Sequence, residues 1–214
     1  MSSDPEPTLH ALVLAAGSAS RFGSPKQLVR IGGQPMLHKA VSQATEVVGH
    51  AVTVVLGAYA DQLAPLLKHT TASVLINRNW EEGMASSLRA GVANLPGSCD
   101  GVLITLADQV GVTTFDLKRL ATAWKRQSEW LIAATYDGQM GVPAIFPRTT
   151  FSAFSELRGD TGAKVILSRH ADRCLRVPMP NASIDIDRPE DLLNIAGQET
   201  EGQTLRSPGA PPKN

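Results

Sequence analysis

The sequence predicts an α/β fold in which a mostly parallel sheet is covered by helices on both faces. Short, continuous apolar runs alternate along the chain with segments of helical periodicity. Strands buried on both faces lack the polar alternation of half-exposed strands, and alternating strands and helices are typical of parallel sheets. The chain has 214 residues, of which 43% are hydrophobic, and this is enough for the core of one large domain.

The elements are predicted in chain order. The first strand covers residues 10–16, with the sequence HALVLAA, and a glycine-rich loop extends from Gly17 to Gly33. From Pro35, apolar residues recur at helical spacing, and Gly49 stands where a helix C-cap is expected. By the same patterns, further strands are predicted at 51–57, 72–77, 101–107, 129–136, 142–146 and 174–177. Further helices are predicted at 59–68, 84–95, 114–127, 150–157, 162–170 and from Pro189.

Composition limits the domain organisation and the function classes. Residues 1–8 and 198–214 are poor in apolar side chains, so we expect disordered tails on either side of a single domain over residues 9–197. The 20 basic and 20 acidic residues give no net charge, which argues against a nucleic-acid or anionic-membrane surface. No secretory signal and no apolar run near the ~20 residues of a membrane span are visible, so a cytoplasmic location is expected. Two cysteines and five scattered histidines predict neither a disulfide framework nor a metal cluster.

The carboxyl ends of the predicted strands hold the candidate site residues, because ligands of such sheets bind beyond these ends. Gly17, Asn77 and Asp108 each follow a strand. Small residues after Gly17 could turn backbone N–H groups toward a phosphate, and Arg21 and Lys26 add two cations that suit a triphosphate. The alternative is a flexible turn with two solvated cations. The loop lacks the dinucleotide motif G-x-G-x-x-G, which weighs against an NAD-dependent enzyme.

Acidic residues supply a candidate magnesium site. Asp108 offers a hard oxygen ligand that could hold Mg²⁺ against phosphate oxygens, although it could also be a turn residue. The segment IDIDRPEDL at 184–192 adds Asp185 and Asp187, which would share one face if this segment were a strand. The alternative is that Asp187 caps the last helix, with Glu190 completing a capping box.

Two further segments join the candidate list. In NRNWEEGMASSL at 77–88, Gly83 opens a helix and Ser87 lies in its first turns, where small polar groups could contact an anion or a base edge. The alternative is an ordinary capped amphipathic helix. LRGDTGAK at 157–164 is a turn with two glycines around Asp160, and it could equally be a plain connection between helices.

Taken together, these motifs resemble the family of molybdenum-cofactor nucleotidyltransferases. The first loop, from Leu14 to Lys26, matches the family's opening L-A-[AG]-G-x-x-x-R-[MF]-G-x-x-K, and L-A-D-Q at 106–109 is similar to its metal-binding segment. N-x-x-W-x-x-G-M-x-x-S-L and the turn G-D-x-G-A resemble the cytidylyltransferase branch. D-I-D-R-P-E-D-L resembles the closing motif, with Arg188 where threonine is usual. The matches span residues 12–193.

The resemblance implies a Rossmann-like three-layer nucleotidyltransferase fold and a set of residue roles. It places Mg²⁺ on Asp108, with Asp187 as the second metal position and Asp185 as the fallback. It assigns catalytic roles to Arg21 on the triphosphate, to Lys26 at the α-phosphate and to Asp108. The implied nucleotide-binding residues are Leu14, Ala15, Ala16, Gly17, Ser18, Arg21, Lys26, Asn77, Gly83, Ser87 and Asp108. The implied acceptor-side residues are Gly159, Asp160 and Gly162.

The implied reaction transfers CMP from CTP to the terminal phosphate of molybdenum-loaded molybdopterin, and pyrophosphate leaves. The guanylyl branch reads L-A-G-G where this chain has L-A-A-G, so the resemblance suggests CTP. It also implies a handover of the product to an apo-molybdoenzyme or its insertion chaperone. The alternatives are a nucleotidyltransferase for a sugar or polyol phosphate or for GTP, and a nucleotide-binding regulatory protein without turnover.

Overall fold

The computed structural model describes residues 6–192. Its helices are α1 (Met36–Val48), α2 (Ala60–Leu63), α3 (Met84–Ala93), α4 (Thr114–Arg126), α5 (Phe151–Phe154) and α6 (Lys164–Arg169). Its strands are β1 (Leu9–Ala15), β2 (Arg30–Ile31), β3 (Gln34–Pro35), β4 (Val52–Leu56), β5 (Ser73–Ile76), β6 (Gly101–Leu106), β7 (Leu131–Tyr136), β8 (Gln139–Pro147) and β9 (Cys174–Pro178). The predicted tails and the helix predicted from Pro189 fall wholly or largely outside the described residues.

Seven strands form one sheet in the order β5-β4-β1-β6-β8-β7-β9. The strands β5, β4, β1 and β6 run parallel, whereas β8 pairs antiparallel with both β6 and β7, and β7 runs parallel to β9. The prediction of a mostly parallel sheet is therefore confirmed. The sheet divides into a parallel half (β5, β4, β1, β6) and a mixed half (β8, β7, β9).

Helices cover both faces of the sheet, as the sequence predicts. One face packs against α1, α2 and α4, with a buried cluster that includes Leu37, Leu63 and Trp124. The other face packs against α3, α5 and α6, with a second cluster that includes Leu88 and Phe154. Burying each such side chain contributes about 1.5–3 kcal/mol relative to leaving it in water, so both faces stabilise the sheet.

Two helices and one strand differ in length from the prediction. The helix predicted at 59–68 ends at Leu63 and continues as a 3-10 turn over Ala64–Leu67, because Pro65 cannot donate a helical hydrogen bond. The helix predicted at 150–157 shortens to α5. The short strand predicted at 142–146 is the nine-residue β8, because Asp137 and Gly138, with φ of 50° and 72°, form a tight turn that extends its pairing with β7.

The connections that carry the site are anchored at their ends. Helix α4 begins with a capping box in which the Thr113 hydroxyl and the Asp116 carboxylate bond each other's backbone N–H groups. The short hairpin β2–β3, which the sequence pattern did not reveal, follows the first loop and precedes α1.

Among the described residues, every helix is too short or too polar to cross a membrane.

Candidate active site

A cavity of about 420 Å³ opens at the carboxyl ends of the parallel strands, where the fold rule places ligands. Most predicted site residues lie in its wall: Leu14, Ala15, Ala16, Gly17, Ser18, Arg21, Lys26, Gly83, Ser87, Asp108, Asp160 and Asp187. Asn77, Gly159, Gly162 and Asp185 are not part of this wall. The cavity is also lined by Trp80, Glu81, Met84 and Gln27, for which the sequence predicts no role.

The first loop is shaped from beneath by Gln27. This side chain is buried, and its Nε2 donates hydrogen bonds to the carbonyls of Ala15 at 3.3 Å and Gly17 at 3.2 Å. Ala19 adopts a positive φ of 48°, and its carbonyl accepts from the N–H groups of Phe22 and Gly23. These hydrogen bonds give the loop a defined turn in the structure. The sequence signal for Gln27 was only its place next to Lys26.

Lys26 lies between two carboxylates. Its Nζ donates to Asp108 Oδ2 at 2.7 Å, to Asp187 Oδ1 at 2.8 Å and to the carbonyl of Ile186 at 2.7 Å. Burial disfavours the ammonium, but the charges and hydrogen bonds of Asp108 and Asp187 outweigh it, and the pKa of Lys26 is raised. Arg21 is exposed, with its Nη1 3.8 Å from Asp187 Oδ2. An ammonium has three hydrogens, so Lys26 can contact a phosphate only by exchanging one of these bonds.

Asp108 suits a divalent cation. Its Oδ1 is buried, and within residues 6–192 it accepts no hydrogen bond, which leaves an acceptor available for a metal. In the same part of the chain, no group of three His, Cys, Asp or Glu side chains is arranged to hold a metal. One or two carboxylates together with substrate phosphates are the usual environment of Mg²⁺. Desolvation, followed by the charges of Asp187 and Asp108, raises the pKa of Asp185.

The closing segment differs from both structures expected for it. Residues 184–187 are not a strand. The N–H groups of Asp187 and Arg188 donate to the Asp191 carboxylate at 2.9 and 2.8 Å. The expected capping box with Glu190 is therefore wrong, because Asp191 accepts these hydrogen bonds while Lys26 holds the carboxylate of Asp187 toward the cavity.

Asn77 supports the cavity from behind its wall. It is buried after β5, and its Nδ2 donates to the hydroxyls of Ser86 at 2.7 Å and Ser87 at 3.0 Å. Its Oδ1 accepts from the N–H of Asn79 at 3.0 Å. The family resemblance implies that Asn77 and Ser87 lie near the base and the ribose; the structure brings the two side chains together, with only Ser87 in the wall.

The turn at 157–164 packs on the start of α3. Gly83 has a φ of 108°, and a Cβ there would lie 2.5 Å from both the Gly159 backbone and Asp160 Oδ1. The N–H of Ala85 donates to the carbonyl of Gly159 at 3.0 Å. Gly162 lies beside Met84, whose Sδ would be 3.2 Å from an added Cβ. The two glycine-containing segments that the sequence singled out therefore form one surface.

A second cavity of about 270 Å³ adjoins the first across Met84, which lines both. Its wall comes from the β7–β8 hairpin and the start of α6, and includes Tyr136, Met140, Gly162 and Lys164. The sequence places the acceptor side at about residues 140–170, but among these four side chains it predicts a role only for Gly162.

Gln109 connects the two cavities. This buried residue follows Asp108, and its Nε2 donates to the carbonyl of Val142 at 2.8 Å and to that of Ala182 at 3.0 Å. The Tyr136 hydroxyl also donates to the Val142 carbonyl, at 3.0 Å. The strand end that carries Asp108 is thus bonded to the β7–β8 hairpin and to the segment that leads to Asp187.

Comparison with known proteins identifies the class. The model of the MobA-like NTP transferase domain matches residues 11–174. The chain is 29% identical over 172 residues to nicotine blue oxidoreductase of Paenarthrobacter nicotinovorans, covering 75% of this chain and 82% of the relative. It is 31% identical over 120 residues to the bifunctional protein GlmU of Neisseria meningitidis, covering 55% of this chain and only 25% of GlmU.

Solved structures agree with this family. Rv0371c of Mycobacterium tuberculosis superimposes with a TM-score of 0.77 at 26% identity, covering 90% of this chain and 98% of that one. A further structure of Rv0371c, with a TM-score of 0.73 at 23% identity and coverage of 88% and 97%, is a complex with manganese. Fold and site together thus define a nucleotidyltransferase. Specifically, the chain belongs to the MobA-like NTP transferase family, which confirms the resemblance to the molybdenum-cofactor enzymes.

Proposed function

We propose that the protein transfers CMP from CTP to the terminal phosphate of molybdenum-loaded molybdopterin, in a Mg²⁺-dependent reaction. Membership of the family supplies nucleotidyl transfer. The observation that carries the choice of a large second substrate is the pair of cavities that meet at Met84, one with the charged residues and one beside it. The L-A-A-G sequence of residues 14–17 supports CTP through its resemblance to the cytidylyl branch.

The proposed chemistry needs no protein nucleophile. A phosphate oxygen of the acceptor forms a bond to the α-phosphorus of CTP, the bond from that phosphorus to the β-phosphate oxygen breaks, and pyrophosphate leaves with the electron pair. The acceptor phosphate is already anionic at neutral pH, so alignment and charge neutralisation supply the catalysis. Mg²⁺, when bound, neutralises charge on the triphosphate and the leaving pyrophosphate.

Each charged residue has a defined task in this proposal. Arg21 is exposed at the cavity mouth and binds triphosphate oxygens with its planar guanidinium. Asp108 presents Oδ1 to the metal, while its Oδ2 stays bonded to Lys26. Lys26 keeps Asp108 and Asp187 close together despite their like charges, and it exchanges one of its bonds for an α-phosphate oxygen. Asp187 is the second metal position in the proposal, with Asp185 as the fallback.

The second cavity takes the acceptor in this proposal. Met84 and Met140 provide polarizable thioethers for a flat heterocycle, and Lys164 provides a cation for its phosphate side. Gly159, Asp160 and Gly162 shape the passage between the cavities, because their turn packs directly on Gly83 and Met84. The product would pass to an apo-molybdoenzyme or its insertion chaperone in the cytoplasm.

A second candidate is an oxidoreductase, because the relative from Paenarthrobacter nicotinovorans carries that name and is similar over 82% of its length. This candidate needs a reduced nicotinamide or a comparable hydride donor. Two carboxylates with a lysine between them have no evident task in hydride transfer, whereas they suit phosphoryl chemistry. We therefore favour nucleotidyl transfer.

Pyrophosphate release tests the proposal directly. The protein is incubated with CTP, GTP, ATP or UTP and Mg²⁺, with and without molybdenum-loaded molybdopterin, and NADH or NADPH oxidation with nicotine blue is followed in parallel. We expect release with CTP that requires the pterin. Release that requires a sugar or polyol phosphate instead would show that the acceptor is not molybdopterin. Release with GTP instead of CTP would show that the enzyme transfers GMP. Hydride transfer without any pyrophosphate release would overturn the proposal in favour of the oxidoreductase.

A further inference from the structure

The two carboxylates proposed to hold the metal are paired with cations of the protein itself. Lys26 Nζ donates to one oxygen of each, at 2.7 Å to Asp108 Oδ2 and 2.8 Å to Asp187 Oδ1. The other oxygen of Asp187 faces the Arg21 guanidinium at 3.8 Å. The fourth oxygen, Asp108 Oδ1, has no hydrogen-bond partner within residues 6–192, but it is buried. In this part of the chain, a hydrated ion therefore meets no oxygen of the pair that is both accessible and unpaired.

Lys26 is held more firmly in this arrangement than Arg21. The Lys26 side chain is only 11% exposed, whereas the Arg21 side chain is 71% exposed. Lys26 Nζ also donates to the carbonyl of Ile186 at 2.7 Å, so all three ammonium hydrogens are used. Water and salt screen an exposed ion pair strongly and a partly buried one much less. Lys26 rather than Arg21 is therefore the cation that keeps Asp187 from a metal.

Lys26 can leave Asp187 while its own backbone stays in place. It begins the 3-10 turn Lys26–Leu28, and the next residue, Gln27, donates hydrogen bonds to two backbone carbonyls of the first loop and strand. The ammonium itself is carried on a flexible four-carbon stem. Both Lys26 and Asp187 line the first cavity, so a triphosphate bound there offers the ammonium a phosphate oxygen in exchange for Asp187 Oδ1.

We propose that Lys26 withholds Asp187 from the divalent cation in the free protein and releases it when a triphosphate binds. The cation is then bound firmly only together with the nucleotide. When a site is open in only a fraction of the molecules, its apparent affinity is reduced by that fraction. The metal roles of Asp108 and Asp187 rest on the proposed function, whereas the ammonium between them is observed in the structure.

Binding of Mn²⁺ alone tests this without nucleotide or acceptor. Electron paramagnetic resonance measures the free ion, because hydrated Mn²⁺ gives a sharp signal that is lost on binding. We expect Lys26→Met to bind Mn²⁺ about tenfold or more tightly than the wild type, because Asp187 is no longer withheld. Arg21→Met is the matched control, since it removes the same charge beside the same carboxylate. Its affinity for Mn²⁺ should change by less than about threefold, because this exposed pair is screened.

Second substitutions show which carboxylate receives the ion. In the Lys26→Met protein, Asp187→Asn should abolish the gain in Mn²⁺ affinity, and Asp185→Asn should retain it. Loss of the gain through Asp185→Asn alone would overturn the proposal. An equal gain in Arg21→Met would also overturn it, because the effect would then be one of general charge.

Thermal melts show whether each variant is folded. If Lys26→Met folds only when Mn²⁺ is present, the proposal is supported, because the ion then replaces the ammonium between the carboxylates. If Lys26→Met does not fold at all, Lys26→Gln, which keeps a neutral hydrogen-bond donor, takes its place in the same comparison. A folded variant without Lys26 that gains no Mn²⁺ affinity would overturn the proposal.

CTP tests the release of Asp187, and this test includes the wild type. Water proton relaxation distinguishes Mn²⁺ on the protein from Mn²⁺ on CTP in solution, because the protein tumbles more slowly. We expect CTP to raise the Mn²⁺ affinity of the wild type. The corresponding factor for Lys26→Met should be about tenfold smaller, since no ammonium remains to be displaced. Equal Mn²⁺ affinity of the wild type with and without CTP would contradict the proposal.

The outcomes separate this inference from the proposed function. An Asp187-dependent gain in Mn²⁺ affinity in a protein that does not use molybdopterin would support the inference and remove only the acceptor. Mg²⁺-dependent transfer of CMP by a protein whose Lys26→Met variant gains no Mn²⁺ affinity would support the function and overturn the inference.

Discussion

The parallel and mixed halves of the sheet build their cavities in different ways. In the parallel half, β1, β5 and β6 end at one edge, and the residues directly after them form or support the wall. In the mixed half, the second cavity is assembled from a hairpin and the first turn of a helix. In the first cavity, the ends of the strands fix the positions of the backbone and of the charged residues. In the second cavity, the shape depends on the side chains of the hairpin and of the helix start. We therefore propose that the parallel half carries out nucleotidyl transfer and that the mixed half determines which acceptor binds.

The largest effect is expected from removing the charge of Asp108. Asp108→Asn retains an oxygen that can accept from Lys26, so the fold should persist with a Tm close to that of the wild type. Loss of the charge next to the proposed metal should lower kcat by about a thousandfold or more. Pyrophosphate release and a thermal melt measure the two quantities. Asp172→Asn, at an exposed position after α6, is the matched control, and near-normal turnover by Asp108→Asn would remove this carboxylate from the mechanism.

The second prediction concerns the mixed half alone. Lys164 is exposed at the start of α6, where it lines the second cavity and donates to Gln139. Lys164→Met should raise the KM for molybdopterin about tenfold, the effect of losing one charge-assisted contact, and leave the KM for CTP unchanged. Steady-state kinetics with each substrate varied in turn measures both. Lys118→Met, which removes a lysine from α4 on the other face of the sheet, should change neither constant. A rise in the KM for CTP in Lys164→Met would contradict the prediction, because it would show that the second cavity also contributes to CTP binding.

The smallest effect is expected where α4 meets the segment leading to Asp187. Burial opposes ionisation of Asp116, but hydrogen bonds from Thr113 and Asn181 outweigh it, and its pKa is lowered. A lowered pKa in the folded state gives stability that is present above the unfolded pKa of about 3.9 and is lost as pH falls through the folded value. Asp116→Asn should therefore lower the free energy of unfolding by about 1 kcal/mol at pH 7.

Urea unfolding at several pH values measures this contribution. The difference between Asp116→Asn and the wild type should shrink as the pH falls below about 4. A difference that stays constant with pH would assign the loss to shape or hydrogen bonding rather than to charge.

The comparison of the two halves also explains how far the sequence could be interpreted. Gly17, Asn77 and Asp108 were found because apolar strands are visible in the sequence and their ends share one edge. Gln27 and Gln109 were not, since a glutamine that bonds to distant carbonyls leaves no periodic signal. The bonds from Lys26 to both carboxylates were equally hidden, because residues 26 and 187 are joined only by the folded sheet.

Tyr136 and Lys164 show the limit more clearly. The pattern predicted a strand only at 142–146, because residues 137–141, DGQMG, have no apolar alternation. The tight turn at Asp137 and Gly138 extends the hairpin and brings Met140 into the second cavity. The family resemblance pointed to this region through its glycines, but it did not identify the side chains of the wall.

The two bonds of Gln109 have a thermodynamic consequence for substrate order. They attach the β6 end, with Asp108, to the hairpin that walls the second cavity. We expect binding at one end of this connection to order the other end as well, and the coupling free energy is the same in both directions. CTP and its acceptor should therefore bind cooperatively, and each should raise the affinity of the enzyme for the other by the same factor.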